Sequence, residues 1–381
     1  MKCQGAVLAI CLVSPGRWPA RAAPEVANEP EPRFEDVLKI DVHVHIFDDL
    51  PEFVKMLRRT NTRVVNICVG GNRPELLVPC EKRAELFRQQ YGPQFGFAST
   101  FDLTRRTESD YARQVTAWLD ETFQGGAVMV KVWKDVGMEL RTPTGAYLMP
   151  DDPTFDPIHA HLAKRRVPLM AHFADPIDAW HPLDPGSAHH GYYASHPEWH
   201  LYGKEGFPRH SEILAARDRM LARHADLRVI AAHLGSEAHD LDELARRFDR
   251  FPNLNADVAA RTPELQRQPA DKVRQFFIRY QDRLLYGTDA EKYTQGRLPT
   301  PEERAAFVEA MEKAYRRDFD YYAGKGSRKA GGREIEGLGL PREVLDKFYH
   351  RNAQRLMPGI AAGTPPAPLR DGQQAAGAIL R

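Results

Sequence analysis

From Leu38 onward the chain alternates short apolar, β-rich runs with stretches of helical periodicity. The runs predict eight strands, at Leu38–Ile46, Arg63–Val69, Phe95–Thr100, Ala127–Trp133, Val167–Phe173, Arg228–His233, Asn253–Val258 and Leu284–Asp289. Helical segments separate most of them, among them Pro74–Gln90, Glu108–Gln124, Ser211–His224 and Leu241–Phe248. Such alternation implies βαβ units and a parallel sheet. Eight units close naturally into an α/β barrel, the single-domain (β/α)8 or TIM barrel. Thr300-Pro301-Glu302-Glu303 marks a further helix start, with an N-cap, a proline at the first helical position and a capping-box glutamate. Pro341–Leu356 reads as a final helix. The longest connection, Ala174–His210, follows the fifth strand and is predicted to be a lid over the active-site end of the barrel.

The two ends differ from this body. Lys2, an apolar stretch from Gly5 to Val13 and Ala20-Arg21-Ala22 fit a signal peptide over residues 1–22, too short to span a bilayer. This predicts a periplasmic or secreted protein; the alternative is a cytoplasmic chain with a disordered extension. Residues 23–37 read as a linker, 38–358 as the barrel, and 359–381, rich in Ala, Gly and Pro, as a disordered tail. Cys68 and Cys80 survive removal of the leader, and a buried free thiol at Cys68 is expected rather than a disulfide. The formal net charge is +1, from 53 basic and 52 acidic residues, which argues against a nucleic-acid partner. A small-molecule substrate is the expected partner, with no membrane insertion after leader removal and with homo-oligomer formation left open.

Alternation along Ile40-Asp41-Val42-His43-Val44-His45-Ile46 places the four aliphatic residues on one face and Asp41, His43 and His45 on the other. The outer face of a barrel strand packs on helices, so both imidazoles are expected to point inward. An interior polar group without a partner costs on the order of 2–7 kcal/mol; two histidines at i and i+2 avoid this by gripping one metal ion, most often zinc. His172, His233 and Asp289 likewise close apolar strands at their C-terminal ends, where barrel active sites lie. Lys131 faces inward from the fourth strand, with Val128, Val130 and Val132 toward the helices. A Lys beside a cation makes sense as a carbamate bridging two metals, or as a plain ammonium further off that pairs with a substrate anion.

These residues resemble the amidohydrolase superfamily, in the amidohydrolase-related branch that includes aminocarboxymuconate-semialdehyde decarboxylase and lactone-hydrolysing relatives. The likeness is carried by Asp41-Val-His-Val-His45, Ala171-His172-Phe173, Ala232-His233-Leu234-Gly235, Tyr286-Gly287-Thr288-Asp289 and the closing Phe348–Leu356 segment, and spans roughly residues 38–358. It implies either one ion held by His43, His45, His172 and Asp289, with His233 assisting catalysis, or two ions sharing carbamylated Lys131. In the second arrangement one ion also takes His43, His45 and Asp289, and the other takes His172 and His233.

The expected activity is that of a metal-dependent hydrolase using activated water to cleave an ester, lactone or amide of a small molecule. Asp289 is the expected proton carrier, and His233 a ligand or oxyanion stabiliser. A non-hydrolytic lyase, a decarboxylase or hydratase, is the alternative on the same site; an exported metal- or solute-binding protein is the alternative of another class. Trp133, Lys134 and Arg141 after the fourth strand, and Ser236 and Glu237 after the sixth, are candidate substrate contacts. Glu237 could instead orient His233. The lid's histidines (His181, His189, His190, His196, His200, His210) fit no metal-ligand spacing, and its aromatics are expected to line the pocket mouth.

Overall fold

A computed structural model describes residues 31–293, 299–330 and 332–360. The expected leader and nearly all of the expected tail lie outside these. Nine strands form one sheet: β1 (Lys39–Ile46), β2 (Thr62–Ile67), β3 (Phe95–Ser99), β4 (Met129–Val132), β5 (Leu169–Ala171), β6 (Val229–Ala231), β7 (Leu254–Asp257), β8 (Leu284–Leu285) and β9 (Ala290–Lys292). Each pairs in parallel with its sequence neighbour from β1 to β8, and β9 pairs with β1. β8 and β9 are two halves of the eighth stave, so the sheet closes on itself. Between them, Val42 N donates to the Tyr286 carbonyl at 3.0 Å and Asp289 N to the His43 carbonyl at 2.8 Å. A hairpin, β10 (Ser327–Ala330) with β11 (Arg333–Glu336), follows the long helix Pro301–Ala323. That helix starts with the predicted capping box at Thr300 and Glu303. The fold is the expected (β/α)8 barrel.

The inward and outward sets were not fully as predicted. Ile40 and Val42 pack inside the barrel with Val65, Ile67, Met129, Met170, Ile230 and Leu285, whereas Val44 and Ile46 join the outer layer against the helices. The cause is a register shift in β1 between Asp41 and Val44. An irregularity of this kind reverses the alternation of a strand. Asp41 therefore does not share a face with the histidines. It accepts from Thr288 N (3.0 Å), Thr288 Oγ1 (2.5 Å) and Tyr315 of the long outer helix (3.0 Å), and so braces the turn that carries Asp289. In β4, Val130 and Val132 pack outward as expected, but Val128, just before the strand, joins the interior cluster.

That cluster is closed from below by Ala353, Leu356, Met357 and Ile360 of the final segment. Each fully buried aliphatic side chain there contributes about 1.5–3 kcal/mol. Within the expected linker, Phe34 and Val37 are buried in the outer core. Cys68 is a buried free thiol and Cys80 a partly buried one. Among the described residues no helix is long and apolar enough to cross a membrane.

Candidate metal centre

The C-terminal ends of the staves bring the predicted residues together. His43 Nδ1 lies 3.0 Å from Asp257 Oδ2, at the end of β7. His45 Nδ1 donates to the Ile67 carbonyl at 3.1 Å, and His233 Nδ1 to the Ala259 carbonyl at 2.8 Å. A carbonyl only accepts, and so does an ionised carboxylate. Burial alone would raise the Asp257 carboxyl; the adjacent His43 ring outweighs this and brings it down to about 2. All three Nδ1 atoms therefore carry the proton, and in each neutral ring Nε2 keeps its lone pair. Burial, followed by the neighbouring charges, lowers the pKa of His43 and takes His172 and His233 well below the ordinary histidine value, so these rings stay neutral.

The Nε2 atoms converge on Asp289. His43 Nε2 and His45 Nε2 lie 3.3 and 3.4 Å from Asp289 Oδ1, and His233 Nε2 lies 4.0 Å from Oδ2. The Asp289 carboxyl is held well below the usual carboxylate range against its burial, as positive charge among these nitrogens would hold it. Lone pairs facing a carboxylate repel one another unless a cation sits between them. His172 adds a buried Nε2 with no well-aligned hydrogen bond, 3.5 Å from Asp175 Oδ1, on a ring 4.5 Å from that of His233. The donor atoms of His43, His45 and Asp289 lie within 4.8 Å of one another; His172 stands outside that triad. Three oriented imidazoles and an ionised carboxylate, with a fourth buried ring nitrogen beside them, fit a divalent metal. Lys131 Nζ approaches to 3.2 Å from His43 Nε2, and burial brings its pKa down to about 8.

Two local features build this convergence. Gly287 passes so close to β1 and β7 that a Cβ would lie 3.1 Å from His43 Cβ and 3.2 Å from Ala259 Cβ. His233, Leu234, Gly235 and Ser236 all adopt left-handed backbone, with φ from +53° to +63°. Each such non-glycine residue costs on the order of 1–3 kcal/mol and persists only where its surroundings hold it. The buried Arg217 holds this turn, donating to the Gly235 carbonyl at 2.9 Å and to Glu237 at 2.8 Å.

The expected substrate contacts fall in different places. Glu237 is buried between Arg217 and Arg247, which donates to it at 2.5 Å, and it does not touch His233, whose Nδ1 is taken by Ala259. Lys134 is buried, donates to both oxygens of Asp175 at 2.8 and 2.9 Å, and lies 3.8 Å from the Trp199 ring centroid. Trp133 meets Trp199 edge to face at 5.4 Å. Tyr192 and Trp199, from the connection after β5, thus cover the end of β4. Arg141 is exposed, folded over Tyr147 and bonded to the Gly145 carbonyl at 2.8 Å. Ser236 is buried, its hydroxyl donating to the Ala174 carbonyl.

Sequence reasoning missed Asp257, Asp175 and Arg261. Asp257 gave the same signal as Asp289, a carboxylate closing an apolar strand. Arg261 is buried beyond β7, its Nε lies 3.3 Å from Glu264 Oε2, and its charge adds to the depression of both His172 and His233.

Asp257→Asn tests the tautomer argument. The asparagine oxygen can still accept from His233 N and Ala259 N, as Asp257 Oδ1 does at 2.8 and 3.0 Å. Its amide nitrogen would face His43 Nδ1 and drive the ring proton to Nε2. Metal affinity is expected to fall about 10–100-fold in a chelator competition titration. Unchanged affinity would show that Asp257 does not set the His43 tautomer.

The amidohydrolase family model matches residues 40–358, and the chain belongs to that family. No curated protein matches it in sequence. A solved structure of 2,6-dihydroxybenzoate decarboxylase from Rhizobium is similar at 14% identity and a TM-score of 0.51, covering 84% of this chain and 99% of that one. A TIM-barrel protein from Bordetella bronchiseptica is similar at 14% identity and 0.49, over 86% and 100%. 4-Oxalomesaconate hydratase from Rhodopseudomonas palustris is similar at 12% identity and 0.48, over 85% and 97%. At 14% identity the likeness to the decarboxylase speaks for the barrel alone.

Proposed function

We propose that this protein is a metal-dependent hydrolase acting on an ester, lactone or amide of a small molecule. The observation that carries the reading is the set of imidazoles whose Nδ1 protons are engaged elsewhere and whose Nε2 lone pairs meet at Asp289. A divalent cation held there, most simply zinc, lowers the pKa of bound water from 15.7 to about 7 and polarises a carbonyl. Asp289 is placed to take the proton from water and deliver it to the leaving group. Its carboxylate is ionised at neutral pH and partly exposed, so it is ready to accept and can reach a bound substrate. His233 has its proton on Nδ1, so its neutral Nε2 cannot donate to an oxyanion. That supports a ligand role for His233 over oxyanion stabilisation.

This favours the two-ion arrangement. His172 and His233 would hold the second ion, and Lys131 would bridge as a carbamate. With a pKa brought down to about 8 by burial, Lys131 has a neutral amine fraction at physiological pH; that amine adds CO2 and releases one proton. Metal analysis of purified protein is expected to give about two ions per chain, falling in Lys131→Met. One ion in both proteins would remove the carbamate.

Membership of the amidohydrolase family suits a decarboxylase as well as a hydrolase. Screening lactones, esters, amides and carboxylated aromatics separates the two. Cleavage with uptake of water supports hydrolysis; release of CO2 would replace it with the lyase reading.

A further inference from the structure

On the outer layer, away from the barrel mouth, a second group of potential ligands comes together. Asp156 and His159 lie one turn apart at the start of the helix Asp156–Arg165, and His224 follows the last turn of the helix His210–Arg223. Their donor atoms lie within 4.8 Å of one another. His224 Nε2 is 2.8 Å from Asp156 Oδ1, and the His159 ring meets His224 edge to face at 4.9 Å. His159 is only 4% exposed, and its Nδ1 has no hydrogen-bond partner. A buried, unpartnered ring nitrogen costs on the order of 1–3 kcal/mol, and nothing in the catalytic centre uses it.

We propose that Asp156, His159 and His224 form a second transition-metal site, for zinc or a similar borderline cation, which staples the two helices that flank β5. Two imidazoles and one carboxylate are a usual donor set for such an ion. Asp156 is partly exposed, so water reaches the cluster and can complete the coordination. Among the described residues the other charged group on Asp156 is Arg223, which donates to its two oxygens at 3.0 and 3.2 Å and to the Asp151 carbonyl at 3.0 Å. Arg223 is 41% exposed and can turn out to solvent as the cation enters. Burial keeps His159 neutral, with a pKa near 3, so no proton has to leave it before it binds. The related group Asp178, His189 and Glu264 is a weaker candidate, because the buried Arg261 lies 3.3 Å from Glu264 and repels a cation there.

The test uses full-length protein stripped with chelator and reloaded with zinc chloride. His224→Gln keeps a side-chain donor for Asp156 while losing the imidazole, and Asp156→Asn gives a second variant of native shape. Each is expected to hold one zinc ion fewer per chain than the parent after gel filtration. In a His43→Gln/His45→Gln/His172→Gln/His233→Asn background, which removes the imidazoles of both catalytic ions, added zinc is expected still to raise the melting temperature, and adding His224→Gln is expected to abolish that rise. The background isolates this site, so a failure of the catalytic reading leaves the result readable. Equal zinc content in parent and both variants, or a rise that survives His224→Gln, would overturn the proposal.

Discussion

Asp289→Asn leaves a folded protein whose kcat on the identified substrate is lower by about 10²–10⁴-fold. The substitution isolates chemistry from folding. Asp289 sits in left-handed backbone at φ +63°, which asparagine tolerates as readily as aspartate. Its backbone N–H still donates to the His43 carbonyl, so the joint between the two halves of the eighth stave survives. What goes is an ionised oxygen set among Nε2 atoms of His43, His45 and His233. The amide cannot take a proton from water at neutral pH. Steady-state kinetics, metal content and circular dichroism together read the outcome. Near-full turnover with unchanged metal content would remove Asp289 from proton transfer.

Glu237→Ala has its large effect on stability. Arg217 is 2% exposed, and its strongest partner is Glu237 at 2.8 Å. Breaking a buried pair by removing one member costs about 3–5 kcal/mol, and Arg217 would keep only the longer contact to Asp218 at 3.4 Å. Arg217 also holds the Gly235 carbonyl, so the left-handed turn that presents His233 is expected to loosen with it. Urea unfolding at equilibrium measures the loss as a lower midpoint. A substrate contact would behave differently: KM would rise while the midpoint stayed where it was.

Much of the centre was legible because the same physical rule acts at each stave. An ionisable side chain that ends an apolar strand in a closed barrel has few places to go except the shared mouth. His43, His45, His172, His233, Asp289 and Lys131 follow that rule, and so does Asp257, to which it was not applied. Glu237 and Lys134 also follow strands, yet their charges are met by Arg217 and Arg247 and by Asp175. Partners distant in sequence cannot be seen from local spacing.

Local sequence by itself determined the order of strands and helices, the helix cap at Thr300, and which stave ends carry histidine and aspartate side chains. These depend on periodicity and on residues within a few positions of each other. Only the tertiary structure decided which way β1 turns its residues, which imidazole nitrogen carries the proton, and which charges are spent on ion pairs. A register shift in one strand sends Asp41 outward to Tyr315 and Thr288, and carbonyls on other staves hold the ring protons. Such contacts join residues up to hundreds of positions apart, and closing the barrel is what brings them within hydrogen-bonding distance.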